Sequence, residues 1–286
     1  MERTRLRRFF IGGGLLLFLA VLGACSVKPI YNNLDRLVAW QAGEYLELSR
    51  EQKASLRLEL GILLEWHRES HLILYAELLS ELPQAYSDGV SPKMIQELFD
   101  QLLIWGVEIE DKSLPMMGEL LLSLDEDQID HLESQFNSSN EEWVSVEQGG
   151  TLLDYQRGWA AEVEEGLERF TGRLNSSQLN YLEVKSLAYR PERVFWGEYR
   201  KRWQEAFFDL LRSGKADRFQ FRFVEMVKNR ESYYGDNFEK IYESNLELSR
   251  EAAAYLLSNL TEKQTTKFNK TLNNLSQDLR ELAQKK

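Results

Sequence analysis

The sequence has few of the residues that build several common kinds of protein. Its 286 residues include one Cys, 5 Pro, 3 His and 17 Gly. A single Cys excludes a disulfide-stapled domain, and the low Gly and Pro content excludes a collagen-like fibre. With 43% hydrophobic and 28% charged residues, the chain is not wholly disordered either. The composition favours one large hydrophobic core or two smaller ones.

Basic charge and catalytic motifs are also scarce. The formal net charge of −11 argues against a general nucleic-acid binder, whose domains are usually strongly basic. The chain has no phosphate-binding Gly loop, no Gly-x-Ser-x-Gly elbow and no Cys–His pair, and its carboxylates are spread too evenly for an acid–base pair to stand out. We therefore expect neither catalysis nor a cofactor.

The N-terminal segment has the pattern of a secretory signal peptide. Four Arg among the first eight residues precede an apolar run over 9–22, which is shorter than the roughly 18–20 residues of a membrane-spanning helix. The run leads into Leu22-Gly23-Ala24-Cys25, which resembles the lipobox of bacterial lipoproteins, where cleavage precedes an acylated Cys. The alternative is a plain signal peptide with a chance Cys. Because a lone Cys has no disulfide partner, lipidation of Cys25 is the better explanation.

This pattern predicts three segments. Residues 1–24 form a signal peptide, 25–48 a lipid-anchored segment with the first helix, and 49–286 a helical periplasmic domain with a soft boundary near residue 172. Ser26 in place of Asp favours an outer-membrane lipid anchor facing the periplasm. Without residues 1–24 the chain has 31 basic and 45 acidic residues, a net charge of −14.

A repeated pentapeptide predicts helix starts. Four segments have Leu, then Ser, Asp, Asn or Thr, then Gln three positions later; they are 48–52, 124–128, 174–178 and 260–264. A fifth, 90–94, keeps Ser91 and has Pro92 at the first helical position. In a capping box, the first polar side chain accepts from the backbone of the third helical residue, and that residue's side chain reaches back. Each repeat is therefore best explained as an N-terminal cap.

The chain as a whole predicts an all-α fold, a multi-helix array of antiparallel helix hairpins. Stretches rich in Leu, Glu, Gln, Arg and Ala favour helix, and no stretch alternates as a strand would. The predicted helices cover about 31–47, 50–82, 92–112, 116–123, 126–146, 151–171, 176–189, 192–212, 215–230, 235–258 and 262–284. Pro83, Pro115 and Pro191 are predicted to lie at breaks between helices.

The motifs resemble those of known envelope proteins. The lipobox, Tyr31-Asn32-Asn33-Leu34-Asp35, Leu48-Ser49-x-x-Gln52 and Trp66-His67-Arg68 resemble an uncharacterised family of proteobacterial lipoproteins, along the whole mature chain. The resemblance implies an envelope location and a helical fold, without an established activity. A weaker resemblance is to the Spy/CpxP-type periplasmic chaperones, whose Leu-Thr-x-x-Gln repeat matches 260–264.

His67 and His71 are the first candidate site. They lie four positions apart on one face of the predicted helix, a spacing that could hold a metal ion. Glu69, however, lies about 200° away around the helix, so it cannot serve as the base of a zincin-like site. We expect hydrogen-bonded core histidines and no metal.

A local reversal of charge is the second candidate site. Residues 185–230 hold 12 Lys or Arg against 6 Asp or Glu. Within them Trp196, Tyr199 and Trp203 follow helical spacing beside Arg193 and Arg200, a combination suited to cation–π contacts or to an acidic, partly apolar ligand. The alternative is that the aromatic stripe is core and that the arginines pair with acidic helices of the same chain.

Together these features predict a lipid-anchored, non-catalytic protein that binds an envelope component, either a partner protein or a partly unfolded client, through the helices of 192–230. The competing hypothesis is a structural or assembly scaffold of an envelope complex, with 185–230 buried internally. The lipid anchor implies contact with a membrane, and homo-oligomers are compatible with the sequence.

Overall fold

The computed structural model describes residues 27–147, 150–213, 218–235 and 237–285, and it confirms the all-α fold class. Within these ranges the chain forms twelve α-helices, one short 3₁₀-helix and no β-strand. No helix in the same ranges is both long and apolar enough to cross a membrane. The predicted signal peptide and Cys25 lie outside the described residues.

The helices are numbered in chain order. They are α1 (Val27–Tyr31), α2 (Leu34–Tyr45), α3 (Arg50–Ser70), α4 (Leu72–Ala85), α5 (Pro92–Leu122), α6 (Glu126–Glu147), α7 (Leu152–Thr171), α8 (Ser176–Ser186), α9 (Arg193–Arg212), α10 (Phe219–Lys228), the 3₁₀-helix Arg230–Tyr233, α11 (Phe238–Ser258) and α12 (Glu262–Ala283).

The helix predicted over 50–82 is interrupted at His71. The backbone of His71 has φ −116° and ψ −38°, which separates α3 from α4 although hydrogen bonds continue on both sides of it. The hydroxyl of Ser70 donates to the carbonyl of Trp66 at 2.6 Å, a back-bond that bends helices. The break therefore comes from a serine and not from a proline.

Pro115 does not lie at a break, so that prediction is wrong. It lies inside α5, which runs unbroken across the two helices predicted at 92–112 and 116–123. A proline inside a helix costs about 3 kcal/mol. Packing on both sides offsets this cost, because Leu114 and Gly118 are buried and Gln220 of α10 donates to the Leu114 carbonyl at 3.2 Å. Pro83 likewise lies inside α4, in its last turn, where few backbone bonds are lost.

The capping glutamines join helix starts in pairs. Gln52 and Gln128 exchange two amide hydrogen bonds, at 3.0 and 2.9 Å, which ties the start of α3 to the start of α6. Each amide also donates into the other loop, Gln52 to the Ser123 carbonyl at 2.8 Å and Gln128 to the Glu47 carbonyl at 3.0 Å. Each acceptor lies five positions before the partner glutamine.

The same arrangement recurs between α8 and α12. Gln178 and Gln264 exchange bonds at 3.2 and 3.0 Å, and they donate to the carbonyls of Asn259 and Arg173, both at 2.9 Å. In each pair the amide oxygen still accepts from its own cap backbone. The repeated pentapeptide therefore closes the helix start and also cross-links distant parts of the chain.

Three main hydrophobic cores hold the helices together. The first lies among α2, α3, α6, α9, α10 and the end of α5. The second brings α1 and α4 against α12, with Trp105 of α5. The third joins α7, α8 and α11. Ser276 of α12 donates to the Ala76 carbonyl of α4 at 2.6 Å inside the second core, so the last helix packs on one that lies 200 positions earlier.

Candidate functional site

Most of the aromatic stripe predicted on α9 is packed within the chain. Trp196 and Tyr199 lie with their ring centroids 4.8 Å apart, and both contact Phe238 of α11, at 5.5 and 6.3 Å. Trp203 stacks on Phe207 at 5.1 Å. Tyr199 is buried, while Trp196 and Trp203 are half-buried. The stripe therefore joins α9 to α11 and to the first core.

Arg200 of the predicted site also contacts its own chain. Its guanidinium lies 5.3 Å from the ring centroid of Trp143, and one of its nitrogens is 3.5 Å from the Ser139 hydroxyl. Burial lowers the pKa of Arg200, because it disfavours the charged form. The side chain of Arg193, like Cys25, lies outside the described residues, although its backbone begins α9.

Several other cations of 185–230 form ion pairs with acidic helices of the same chain. The pairs are Lys185 with Glu251, Arg212 with Asp130 and Glu133, Lys228 with Asp111, and Arg230 with Glu110. These contacts join α8 to α11, α9 to α6, and the region around α10 to α5. Four of the ten cations whose side chains the structure describes in this region are therefore neutralised within the fold.

His67 lies in a hydrogen-bonded cluster at the junction of α1, α3 and α4. Its Nδ1 is 2.9 Å from the Tyr31 hydroxyl, and its Nε2 is 3.2 Å from the Tyr75 hydroxyl. Burial, followed by the neighbouring imidazole of His71, lowers the pKa of His67 to about 4. Burial raises the pKa of Tyr31 to about 12. The imidazole of His67 is therefore neutral at pH 7, with a partner at each nitrogen.

His71 is almost completely buried and also has a partner at each nitrogen. Its Nδ1 is 2.7 Å from the Ser70 hydroxyl and its Nε2 is 3.0 Å from the Glu108 carboxylate on α5. No group of three or more His, Cys, Asp or Glu in the described part of the chain has a geometry that could hold a metal ion.

The outer face of α5 exposes four large apolar side chains. Phe99, Leu103 and Val107 lie within about 80° of one another around the helix, and Ile104 borders them. Their exposed fractions are 37%, 55%, 50% and 54% in that order. We call these four residues the α5 surface. The opposite face of the helix packs inward through Leu102 and Trp105, so α5 is apolar on both sides.

Carboxylates flank one side of the α5 surface. The segment 94–111 contains five Asp or Glu and no Lys or Arg. Glu97, Asp100 and Glu108 project from the same exposed side of the helix. An apolar stripe beside an acidic rim can bind a segment that is both apolar and basic.

Two features escaped the sequence reasoning although the sequence contains a signal for each. All four full repeats have Gln at the third helical position, and only an amide retains donors for a second partner after closing the cap. The signal for the α5 surface is that the sequence of this helix is apolar on both sides. Such a helix is either buried on all sides or leaves an apolar face exposed.

A comparison with known protein families finds one match. The model described as "Family of unknown function (DUF6279)" matches residues 44–239, about two thirds of the chain. No curated protein and no solved structure matches significantly.

Proposed function

Since the chain belongs to this family of unknown function, we propose a function from its own surface: a non-catalytic, chaperone-like protein that binds a partly unfolded envelope client. The observation that carries the proposal is the α5 surface, four large apolar side chains exposed side by side. Single exposed apolar residues are common, whereas a contiguous group usually marks an interaction site.

The acidic rim specifies the client. Glu110 and Asp111 are already paired with cations of the same chain, but Glu97 and Asp100 are exposed beside the apolar stripe. These two carboxylates favour a basic, amphipathic segment, because opposite charges steer the encounter and the apolar stripe retains it. The proposed occupant is therefore an unfolded polypeptide segment with alternating apolar and basic residues. The aromatic stripe of α9 keeps a structural role in this proposal, since its rings pack on α11 and the first core.

We further propose a lipid anchor at Cys25 in the outer membrane, facing the periplasm. The lipobox supports this proposal, and the start of the folded body sharpens it. Val27 is buried within α1, and the Cα atoms of Cys25 and Val27 can be at most about 7 Å apart. A lipid on Cys25 would therefore hold the body close to the bilayer and not on a long tether.

The test is client protection by the full-length lipidated chain reconstituted in zwitterionic liposomes. The chain should suppress aggregation of a denatured basic protein at substoichiometric amounts. Leu103→Asp should raise the amount needed by about tenfold, because it removes apolar contact area at the centre of the α5 surface.

Leu58→Asp is the matched control. Leu58 is 67% exposed on α3 but lies outside the α5 surface, so this variant should protect as well as the parent chain. If both variants lost protection equally, the proposed site would be refuted. If the parent chain did not suppress aggregation, the chaperone-like function would be refuted.

A structural scaffold is the second candidate function. The observation that favours it is the internal pairing of Arg212, Lys228 and Arg230 with the chain's own carboxylates. A scaffold would leave 185–230 resistant to protease in the intact chain. It would also give one discrete partner when a photo-crosslinking residue replaces Leu103 in cells, whereas a chaperone would crosslink to many proteins.

A further inference from the structure

A cleft with unpaired positive charge lies where α9 and α11 begin. It has a volume of about 370 Å³, within the range of about 300–1,000 Å³ typical of small-ligand sites. Its lining is Arg190, Phe195, Asn237, Lys240, Ile241 and Ser244. No carboxylate lines it, although the whole chain is acidic.

The two cations of this cleft have no partner within the described part of the chain. Within the described part of the chain, neither the Arg190 guanidinium nor the Lys240 ammonium forms an ion pair or a side-chain hydrogen bond. By contrast, Lys185, Arg212 and Lys228 are all paired. Two unpaired cations in the lining of one cleft therefore carry a local charge that an anionic ligand would neutralise.

The walls of the cleft are held in place by the fold. The buried amide of Asn245 binds the backbone of Arg190 on both sides, accepting from its N–H at 3.2 Å and donating to its carbonyl at 2.7 Å. On the other wall, Lys240 and Ser244 lie one turn apart on α11. Fixed walls lower the entropic cost of binding, because the cleft does not have to form around the ligand.

From this geometry we infer that the cleft binds an organic phosphate whose apolar part packs against Phe195 and Ile241. The lining offers hydrogen-bond donors from a guanidinium, an ammonium, an amide and a hydroxyl group. A carboxylate has two oxygens, too few for these donors, whereas a phosphate has enough oxygens to accept from all four. The two cations match the charge of roughly −1.5 to −2 on a phosphate monoester. The ligand chemistry is shared by a soluble phosphate ester and an anionic phospholipid headgroup.

The test is equilibrium dialysis of phenyl phosphate against the full-length chain in phosphatidylcholine liposomes. The expected result is saturable binding with a Kd of about 1 mM or tighter. Arg190→Gln and Lys240→Gln should each weaken it by about tenfold, through loss of a charge-assisted contact.

Lys201→Gln and Arg218→Gln are the matched controls, because they remove exposed cations outside the cleft. They should leave the Kd unchanged. Binding that is absent, or that all four variants weaken equally, would overturn the inference. Inorganic phosphate binding as tightly as phenyl phosphate would overturn the role given to Phe195 and Ile241.

A second arm separates the two sources. Phosphatidylglycerol in the liposomes should raise the apparent Kd for phenyl phosphate if lipid headgroups occupy the cleft, and the rise should vanish in Arg190→Gln. An unchanged Kd would assign the cleft to a soluble phosphate. Neither result depends on the α5 surface, so client protection and phosphate binding can fail separately.

Discussion

Removing one member of a glutamine pair should destabilise the fold far more than a surface substitution does. Gln178 is 2% exposed and forms four hydrogen bonds, to the backbone of Asn175 and Asn259 and twice to Gln264. At about 1 kcal/mol of net stability per bond, Gln178→Ala should lower the free energy of unfolding by about 4 kcal/mol. Most of the loss comes from buried groups that no longer have partners.

The other glutamine pair provides a control inside the same molecule. Gln52 makes the equivalent contacts, but it is half-buried, so water can replace part of what the substitution removes. Gln52→Ala should therefore cost about half as much as Gln178→Ala. Urea unfolding of the full-length chain, followed by circular dichroism, measures both free energies.

A double-mutant cycle tests the pairing itself. Because Gln178 and Gln264 share two hydrogen bonds, the double substitution should cost about 2 kcal/mol less than the sum of the single ones. Gln178 and Gln52 share no partner, so their effects should add to within about 0.5 kcal/mol. Additive effects for Gln178 and Gln264 would refute the cross-linking role.

The remaining predictions concern a buried histidine and two helix glycines. Burial lowers the pKa of His67 to about 4 in the folded chain, whereas in the unfolded chain this histidine binds a proton below about pH 6.5. The contribution of His67 to the free energy of unfolding is therefore complete above about pH 6.5, and it falls by up to about 3 kcal/mol between pH 6.5 and pH 4. The slope of Tm against pH should flatten over this range in His67→Phe, and an unchanged slope would contradict the assignment. Gly61→Ala should raise the free energy of urea unfolding by about 0.5–1 kcal/mol, since the added Cβ meets nothing within 4 Å. Gly118→Ala should lower that free energy, because its Cβ would overlap the Gln220 amide that binds the Leu114 carbonyl, and the reverse order would contradict this packing.

Local features of the fold were predictable because their causes are adjacent in the sequence. The side chains of Ser49 and Gln52 lie three positions apart, and together they close the start of α3. The bond between Gln52 and Gln128 spans 76 positions, and no local pattern indicates which starts meet. The unbroken helix around Pro115 was not predictable for the same reason, since it is stabilised by contacts with distant parts of the chain such as Gln220 of α10.

The candidate site shows a similar limit. Helical spacing predicted that Trp196, Tyr199 and Trp203 share one face of α9. Periodicity cannot tell whether such a face meets a partner or the rest of the chain. In the structure Trp196 and Tyr199 contact Phe238, which lies on another helix that no local pattern links to α9. The binding role of this stripe stays a prediction.

The packing of α12 on α4 also sets an order of events during synthesis. Ala76 is completely covered in the folded chain, and its partner Ser276 is made 200 residues later. At about 5–20 residues per second, the apolar face of α4 waits roughly 10–40 s for its cover. A chain ending at residue 239, where the family match stops, would never receive that cover. The segment that defines the family therefore depends on a later helix to complete its core.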